Sequence, residues 1–127
     1  MHPAIYRMGH LTDGELLTAT ASIDCCLNLR YPAAGETSGI AIRMMGAGKP
    51  VIVTNGDENA DLPETSCLRV SHGVAESAEL FDHMAMVTEL PGFAREIGAQ
   101  ARCHVLRNNS LHTVAEAYWR VLNHPGD

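Results

Sequence analysis

The turn "AAGETSG" at residues 33–39 joins two apolar segments and carries the side chains and amides best suited to hold a ligand. Its small residues let the backbone approach a bound molecule closely. If a helix begins at Thr37 or Ser38, the amides of Thr37, Ser38 and Gly39 are the free donors of a helix N-terminus, which attracts anions. The carboxylate of Glu36 precedes them. It either favours the helix dipole, an effect of about 0.3–1 kcal/mol, or contacts a ligand.

The histidines and cysteines form no metal-binding pattern. The seven histidines include no HExxH motif, and the four cysteines include no CxxC pair. We therefore expect no metal and no cofactor, and we predict buried, reduced thiols. A net charge of −6 without a basic run, and an aromatic content of 5%, argue against nucleic acid as a partner.

Segments typical of strands alternate with segments typical of helices in the first half of the chain. The run 49–56 is continuously apolar and β-branched, which is typical of a parallel strand buried on both faces. Strands are predicted at residues 4–9, 23–29, 49–56 and 67–71.

Helix signals occupy the intervening segments and the C-terminal part. Thr12 and Glu15 have capping-box spacing at the start of a helix over 11–22. A second helix, from Thr37 or Ser38, is predicted to bury a stripe of Ile40, Met44 and Ala47, and a short helix is predicted around "ENADL". Further helices are predicted at 75–90, 92–107 and 110–122, the last with a buried stripe of Leu111, Val114, Ala115, Tyr118 and Leu122.

Alternating strands and helices followed by a helical tail predict an α/β fold, with a parallel sheet of about four strands and flanking helices. The 127 residues, 46% of them apolar, fit one domain spanning 1–127. No apolar run approaches the roughly 20 residues of a transmembrane helix, and the N-terminus lacks a secretory signal. We therefore expect a cytoplasmic protein. Because ligands bind at the carboxyl ends of parallel strands, the turn 30–39 lies at the expected binding edge.

Three segments, "LRYPAAGETSG", "AGKPVIVT" and "ADLPE", resemble in order and spacing the nucleotide-sugar-binding domain of family 4 (group 1) glycosyltransferases of the GT-B fold. The resemblance covers nearly the whole chain. It implies a Rossmann-like sheet, weak binding of a nucleoside-diphosphate sugar, and a function in glycosyl transfer from that donor to an acceptor.

The resemblance also implies roles for individual residues. Glu36 would hold sugar hydroxyls, and the amides of residues 37–39 would meet the diphosphate. In place of the family's second glutamate, which binds the ribose, this chain has Arg43. Its guanidinium either pairs with phosphate or is solvated. Asp61 stands where an acidic residue starts the family's next helix, so a capping role is favoured over a ligand role. No residue of the chain is assigned to catalysis.

The family's acceptor domain and the first strands of its donor domain have no counterpart in this chain. We therefore expect a donor-domain fragment that is inactive by itself, because the positioning supplied by the other half of the cleft is lost. Turnover of any nucleotide sugar above background in a donor panel would contradict this prediction. The alternatives are a non-catalytic oligomerisation or interaction module with the same fold, and a GT-B sugar-nucleotide epimerase, which the arrangement of "GETSG" and "AGKP" disfavours.

The strand 23–29 is expected to have an open edge, because the two strands that would lie beside it in the family are missing. Buried, unpaired backbone groups cost about 1–3 kcal/mol each, so a partner is expected there. Either the strand 4–9 pairs with 23–29 through a right-handed crossover, or two chains join at this edge as a homodimer. A missing N-terminal domain is the other partner that the resemblance implies. A homodimer is the favoured alternative.

Overall fold

Three short parallel strands form an open sheet in the computed structural model, which describes residues 2–124. The strands lie in the order β1-β2-β3, and the register aligns Leu27 with Ile52 and Ile52 with Leu68. All residues of the central strand are buried, which confirms the prediction drawn from its β-branched run. The strands are β1 (Cys26–Asn28), β2 (Val51–Thr54) and β3 (Leu68–Val70).

Five α-helices and one 3-10 turn complete the described part of the chain. The first helix begins with the predicted capping box. The amide of Glu15 donates to Thr12 Oγ1 at 3.2 Å, and the amide of Thr12 donates to Glu15 Oε2 at 2.8 Å. The helices are α1 (Asp13–Ser22), α2 (Gly39–Gly46), α3 (Glu76–Glu89), α4 (Pro91–Asn108) and α5 (Leu111–Asn123), and the 3-10 turn is Asp57–Asn59.

The main core lies where α2 and α4 pack together on one face of the sheet. Met45 and Ala41 of α2 are fully buried there, together with Ala101 of α4 and the β2 side chains of Val51 and Val53. Of the stripe predicted for α2, only Met44 is buried. Ile40 is 41% exposed, because α2 turns its Ala41 and Met45 side towards α4 and the sheet.

On the opposite face of the sheet, α3 packs against β3. There His83 of α3 donates from Nε2 to the carbonyl oxygen of Arg69 at 2.7 Å, which ties the helix to the strand. On the same face Ile52 is buried, but Leu27 of β1 is 45% exposed. The β1 end of this face is therefore uncovered.

Residues 4–9 form no strand, so the sheet has three strands and not about four. The side chains of Ile5, Tyr6 and Met8 are exposed, and the segment makes no sheet contact that would hold it extended. A short apolar run becomes a strand only where an edge supplies hydrogen bonds and a face to pack on. The proposed pairing of 4–9 with β1 is therefore wrong, whereas association of two chains at this edge stays a prediction.

The buried stripe predicted for α5 is also wrong. None of the residues of this helix is buried, and Leu111 is 87% exposed. The main neighbour of α5 is α4, which meets it near the short connection between the two helices. The apolar face of α5 therefore has no partner within residues 2–124.

The prediction of buried thiols holds fully for one cysteine. Cys67 is buried, Cys25 and Cys26 are half-buried, and Cys103 lies exposed on α4. All four thiols are free. Among the described helices, none combines the length and the apolar character needed to cross a membrane.

Candidate functional site

The loops that follow β1 and β3 meet at the carboxyl edge of the sheet. The ring of Tyr31, after β1, stacks on the imidazole of His72, after β3, with centroids 3.5 Å apart and planes inclined by 9°. Because β2 lies between the two strands, this pair bridges the end of the central strand. His72 Nδ1 also lies 3.7 Å from a carboxylate oxygen of Glu76 in the first turn of α3. The contact joins two loops that are distant in the sequence.

Arg30 connects the turn before α2 to the end of β2. Its backbone amide donates to Thr54 Oγ1 at 3.0 Å, and its guanidinium Nη1 donates to the carbonyl oxygen of Glu36 at 3.4 Å. This places a cation beside the turn 31–38. Sequence reasoning missed Arg30, although its position just after a predicted strand, at the binding edge, was a usable signal.

The hydroxyl groups of the turn are used to build it. Thr37 Oγ1 donates to the carbonyl oxygen of Glu58 at 2.6 Å, and the buried Ser38 caps α2 by accepting from the amide of Ala41 at 3.3 Å. Gly35 has a φ of 86°, a left-handed conformation in which a side chain would be strained. The hydroxyl groups of Thr37 and Ser38 thus hold the C-terminal end of the turn.

The backbone amides of residues 37–40 are left as free donors. Across residues 2–124, none of these four N–H groups donates to a protein acceptor. The carboxylate of Glu36 is exposed and, within the same part of the chain, forms no ion pair or hydrogen bond. The structure thus brings Glu36, Thr37, Ser38 and Gly39 together as an acceptor beside a row of donors, an arrangement able to bind a hydroxylated anion.

Arg43 lies one turn further along α2 and pairs with α1. Its Nη1 is 3.3 Å from Asp13 Oδ1, and both side chains are exposed. An exposed pair of this kind contributes about 0.2–1 kcal/mol, so it holds the guanidinium only weakly. Among the described contacts, none links the Arg43 side chain to Glu36 or to the free amides.

A polar cavity of 330 Å³ adjoins the turn on the side of α4. Its lining includes Thr37, Asp61, His104 and Asn108. This volume is at the lower end of the range of small-molecule sites. Asp61 starts no helix, since the 3-10 turn ends at Asn59 and is preceded by Gly56, so the predicted capping role is wrong.

Against protein-family models, curated proteins and solved structures, the chain gives no match.

A larger cavity, of 490 Å³, lies at the opposite edge of the sheet, where the strands begin. Its lining includes Asp24, Cys25, Lys49 and Arg95. Because ligands of parallel α/β sheets bind at the carboxyl ends of the strands, we favour the edge that carries Glu36. Within residues 2–124, no three histidine, cysteine or acidic side chains are grouped to hold a metal ion.

Proposed function

We propose that the turn before α2 binds the donor of a glycosyl transfer, a nucleoside-diphosphate sugar. One observation carries this proposal: a free carboxylate at Glu36 lies directly before four free amides at the carboxyl edge of a parallel sheet. A sugar hydroxyl needs an acceptor and a diphosphate needs donors, and the turn offers both in sequence. This agrees with the roles implied by the resemblance to family 4 glycosyltransferases.

In this assignment Glu36 accepts hydrogen bonds from sugar hydroxyls, and the amides of Thr37, Ser38 and Gly39 donate to the phosphates. Arg30 adds a positive charge next to the turn, and Arg43 supplies a second one if it exchanges Asp13 for a phosphate oxygen. The sheet would then be the remaining part of a Rossmann-like donor domain of the GT-B type. Catalysis in such a site is largely electrostatic, since the leaving diphosphate is stabilised by amides, a helix dipole and basic groups.

The surrounding charges predict weak binding. Asp57 and Glu58 follow β2 at the same edge and repel an anion, whereas Arg30 is the cation that contacts the turn. A few charge-assisted hydrogen bonds of about 1.5–3 kcal/mol each, less the cost of association, leave on the order of 4 kcal/mol. This corresponds to a dissociation constant of about 1 mM.

Titration with a nucleoside diphosphate and with the matching sugar nucleotide is expected to shift the NMR signals of amides 36–40 most. Glu36→Gln should weaken binding of the sugar nucleotide several-fold and leave binding of the bare diphosphate nearly unchanged, because the carboxylate contacts only the sugar. Glu64→Gln, which alters an exposed glutamate after the 3-10 turn, is the matched control and should bind both ligands like the parent chain.

Two results would contradict this assignment. One is a set of shifts that clusters elsewhere, for example around the 490 Å³ cavity at the strand starts. The other is an equal loss of affinity for both ligands in Glu36→Gln. This would show that the glutamate supports the turn and does not contact the sugar. Saturation at micromolar ligand would also conflict with the weak site that these charges predict.

The second candidate function is a non-catalytic interaction module. The apolar face of α5 favours it, because its large apolar side chains are exposed and a contiguous exposed apolar patch often marks an interaction site. The two functions differ in the titration above, since a module that has lost the donor site gives no shifts at residues 36–40.

A further inference from the structure

We propose that α5 is a homodimerisation helix, which pairs with α5 of a second copy of this chain. The surface concerned, called the α5 stripe below, consists of Leu111, Val114, Tyr118, Val121 and Leu122 and is flanked by Trp119. The donor site plays no part in this proposal, so failure of the donor titration would leave it standing.

The spacing of the stripe matches a helix-pairing seam. Leu111, Val114, Tyr118 and Val121 follow one another at intervals of three, four and three residues, which is the a/d repeat of helices that pack side by side. This repeat is self-complementary, because the same side chains serve as knobs and as the walls of holes on each helix. A second α5 is therefore a fitting occupant.

The charges of α5 lie away from the stripe. With about 100° between successive residues, Glu116 and Arg120 fall on the face opposite Tyr118. Glu116 is also engaged with His112, whose Nε2 lies 3.5 Å from its carboxylate. A symmetric pair of stripes thus brings no like charges together. A membrane surface is a poorer fit, because the helix lacks the row of basic residues that attracts anionic lipid.

The exposed area is sufficient for weak association. Trp119 is 70% exposed and Tyr118 is 69% exposed, so with the rest of the stripe they present an apolar surface of a few hundred Å², roughly the size of the largest patch of a typical monomer. Two copies would bury on the order of 1,000 Å² in total, which is near the lower limit of specific interfaces. We therefore expect weak association, with a dissociation constant in the micromolar range or above.

Sedimentation velocity of the full chain between 1 and 500 μM tests this inference, together with the fluorescence of Trp119, the only tryptophan. We expect a monomer–dimer transition and a blue shift of the emission with the same midpoint. Tyr118→Glu should raise the dissociation constant at least tenfold, because it places two carboxylates in the seam. At 1 μM, where the parent is mostly monomeric, the variant's circular dichroism and urea unfolding should match the parent chain, since no residue of α5 belongs to the core.

Arg120→Gln, on the far face of the same helix, is the control and should dimerise like the parent. A chain that stays monomeric at 500 μM would overturn the proposal. So would a dimer that survives Tyr118→Glu but is lost when Leu27 at the open end of the sheet is replaced by lysine, since this would place the interface at β1. Binding of the chain to vesicles of anionic lipid that Tyr118→Glu abolishes, without dimerisation in solution, would assign the stripe to a membrane surface.

Discussion

Replacing Gly98 by alanine is expected to destabilise the protein by about 3 kcal/mol or more. Gly98 is buried on α4, and a Cβ built at this position would lie 2.1 Å from the carbonyl oxygen of Gly48 and 3.0 Å from its carbonyl carbon. Separations under about 3 Å do not occur in folded proteins, so the helix or the opposing backbone must move.

Neither side of this contact can yield easily. Gly48 has a φ of 77° in the tight connection between α2 and β2, and Pro50, two residues further on, leads directly into the buried Val51. Moving α4 away would open the contact with α2, which forms the main core around Met45. The substitution therefore weakens the packing that holds the helices on the sheet.

Urea unfolding followed by circular dichroism measures this effect, with Gly92→Ala as the matched control on the same helix. A Cβ at Gly92 meets nothing within 4 Å, so this change should leave stability equal or raise it by up to about 1 kcal/mol. A loss of less than about 1 kcal/mol in Gly98→Ala would show that α4 does not approach Gly48 so closely. If Gly98→Ala fails to fold while Gly92→Ala folds, the close approach is supported.

Elements set by local chemistry were predictable from the sequence. The capping box of Thr12 and Glu15 depends on residues within one turn of each other, and it forms as expected. The helix α2 begins at the expected point, directly after Ser38. The burial of β2 was predicted from its continuous β-branched run, which is typical of a strand covered on both faces. Such signals require no knowledge of the rest of the chain.

Features that depend on a distant partner were not predictable. The periodicity of α5 identified an apolar face correctly but could not reveal that the fold of residues 2–124 leaves this face uncovered. The same is true of residues 4–9, whose apolar character predicts a strand, although the described sheet does not include them. The periodicity of a sequence identifies which side chains form an apolar face. Whether that face is buried depends on another part of the fold packing against it.

The candidate site also combines features set by the local sequence with features set by distant parts of the chain. Glu36 and the amides that follow it were expected from the helix start. The stacking of Tyr31 on His72 depends on the strand order, which brings together loops 41 residues apart in the sequence. The contact of Arg30 with the Glu36 carbonyl depends on the path of the turn, which only the structure supplies.

The thiol of Cys25 is expected to react with iodoacetamide at pH 8 about 100-fold more slowly than an unperturbed cysteine. Burial, followed by the neighbouring Cys26 and Asp24, raises its pKa from 9.0 to about 11, although a hydrogen bond to the Cys26 backbone opposes the shift. Only the thiolate is alkylated, so a rise of two pH units in pKa removes about 99% of the reactive form. Burial also raises the pKa of Cys26 and Cys67, whereas the exposed Cys103 should be modified first.

Peptide mapping by mass spectrometry gives the rate for each cysteine, and the pH profile separates a raised pKa from steric shielding. With a pKa of about 11, the rate at Cys25 should still rise about tenfold between pH 9 and 10. Shielding alone would give a slow rate that levels off near the pKa of an ordinary thiol. A rate at Cys25 that levels off at that pH would contradict the prediction. As a control, all four thiols should react at similar rates in urea, where the chain is unfolded.

The same shift makes the fold sensitive to alkali. Because the pKa of the folded-state thiol lies above its unfolded value, the folded chain holds its proton more firmly. The stability contributed by the neutral thiol is therefore fully present below about pH 9 and is lost as the pH rises towards 11. Cys25→Ser removes this titration, so the variant should lose less stability between pH 8 and 10 than the parent chain. Cys26 and Cys67, whose pKa values are raised in the same direction, contribute to the loss that persists in the variant.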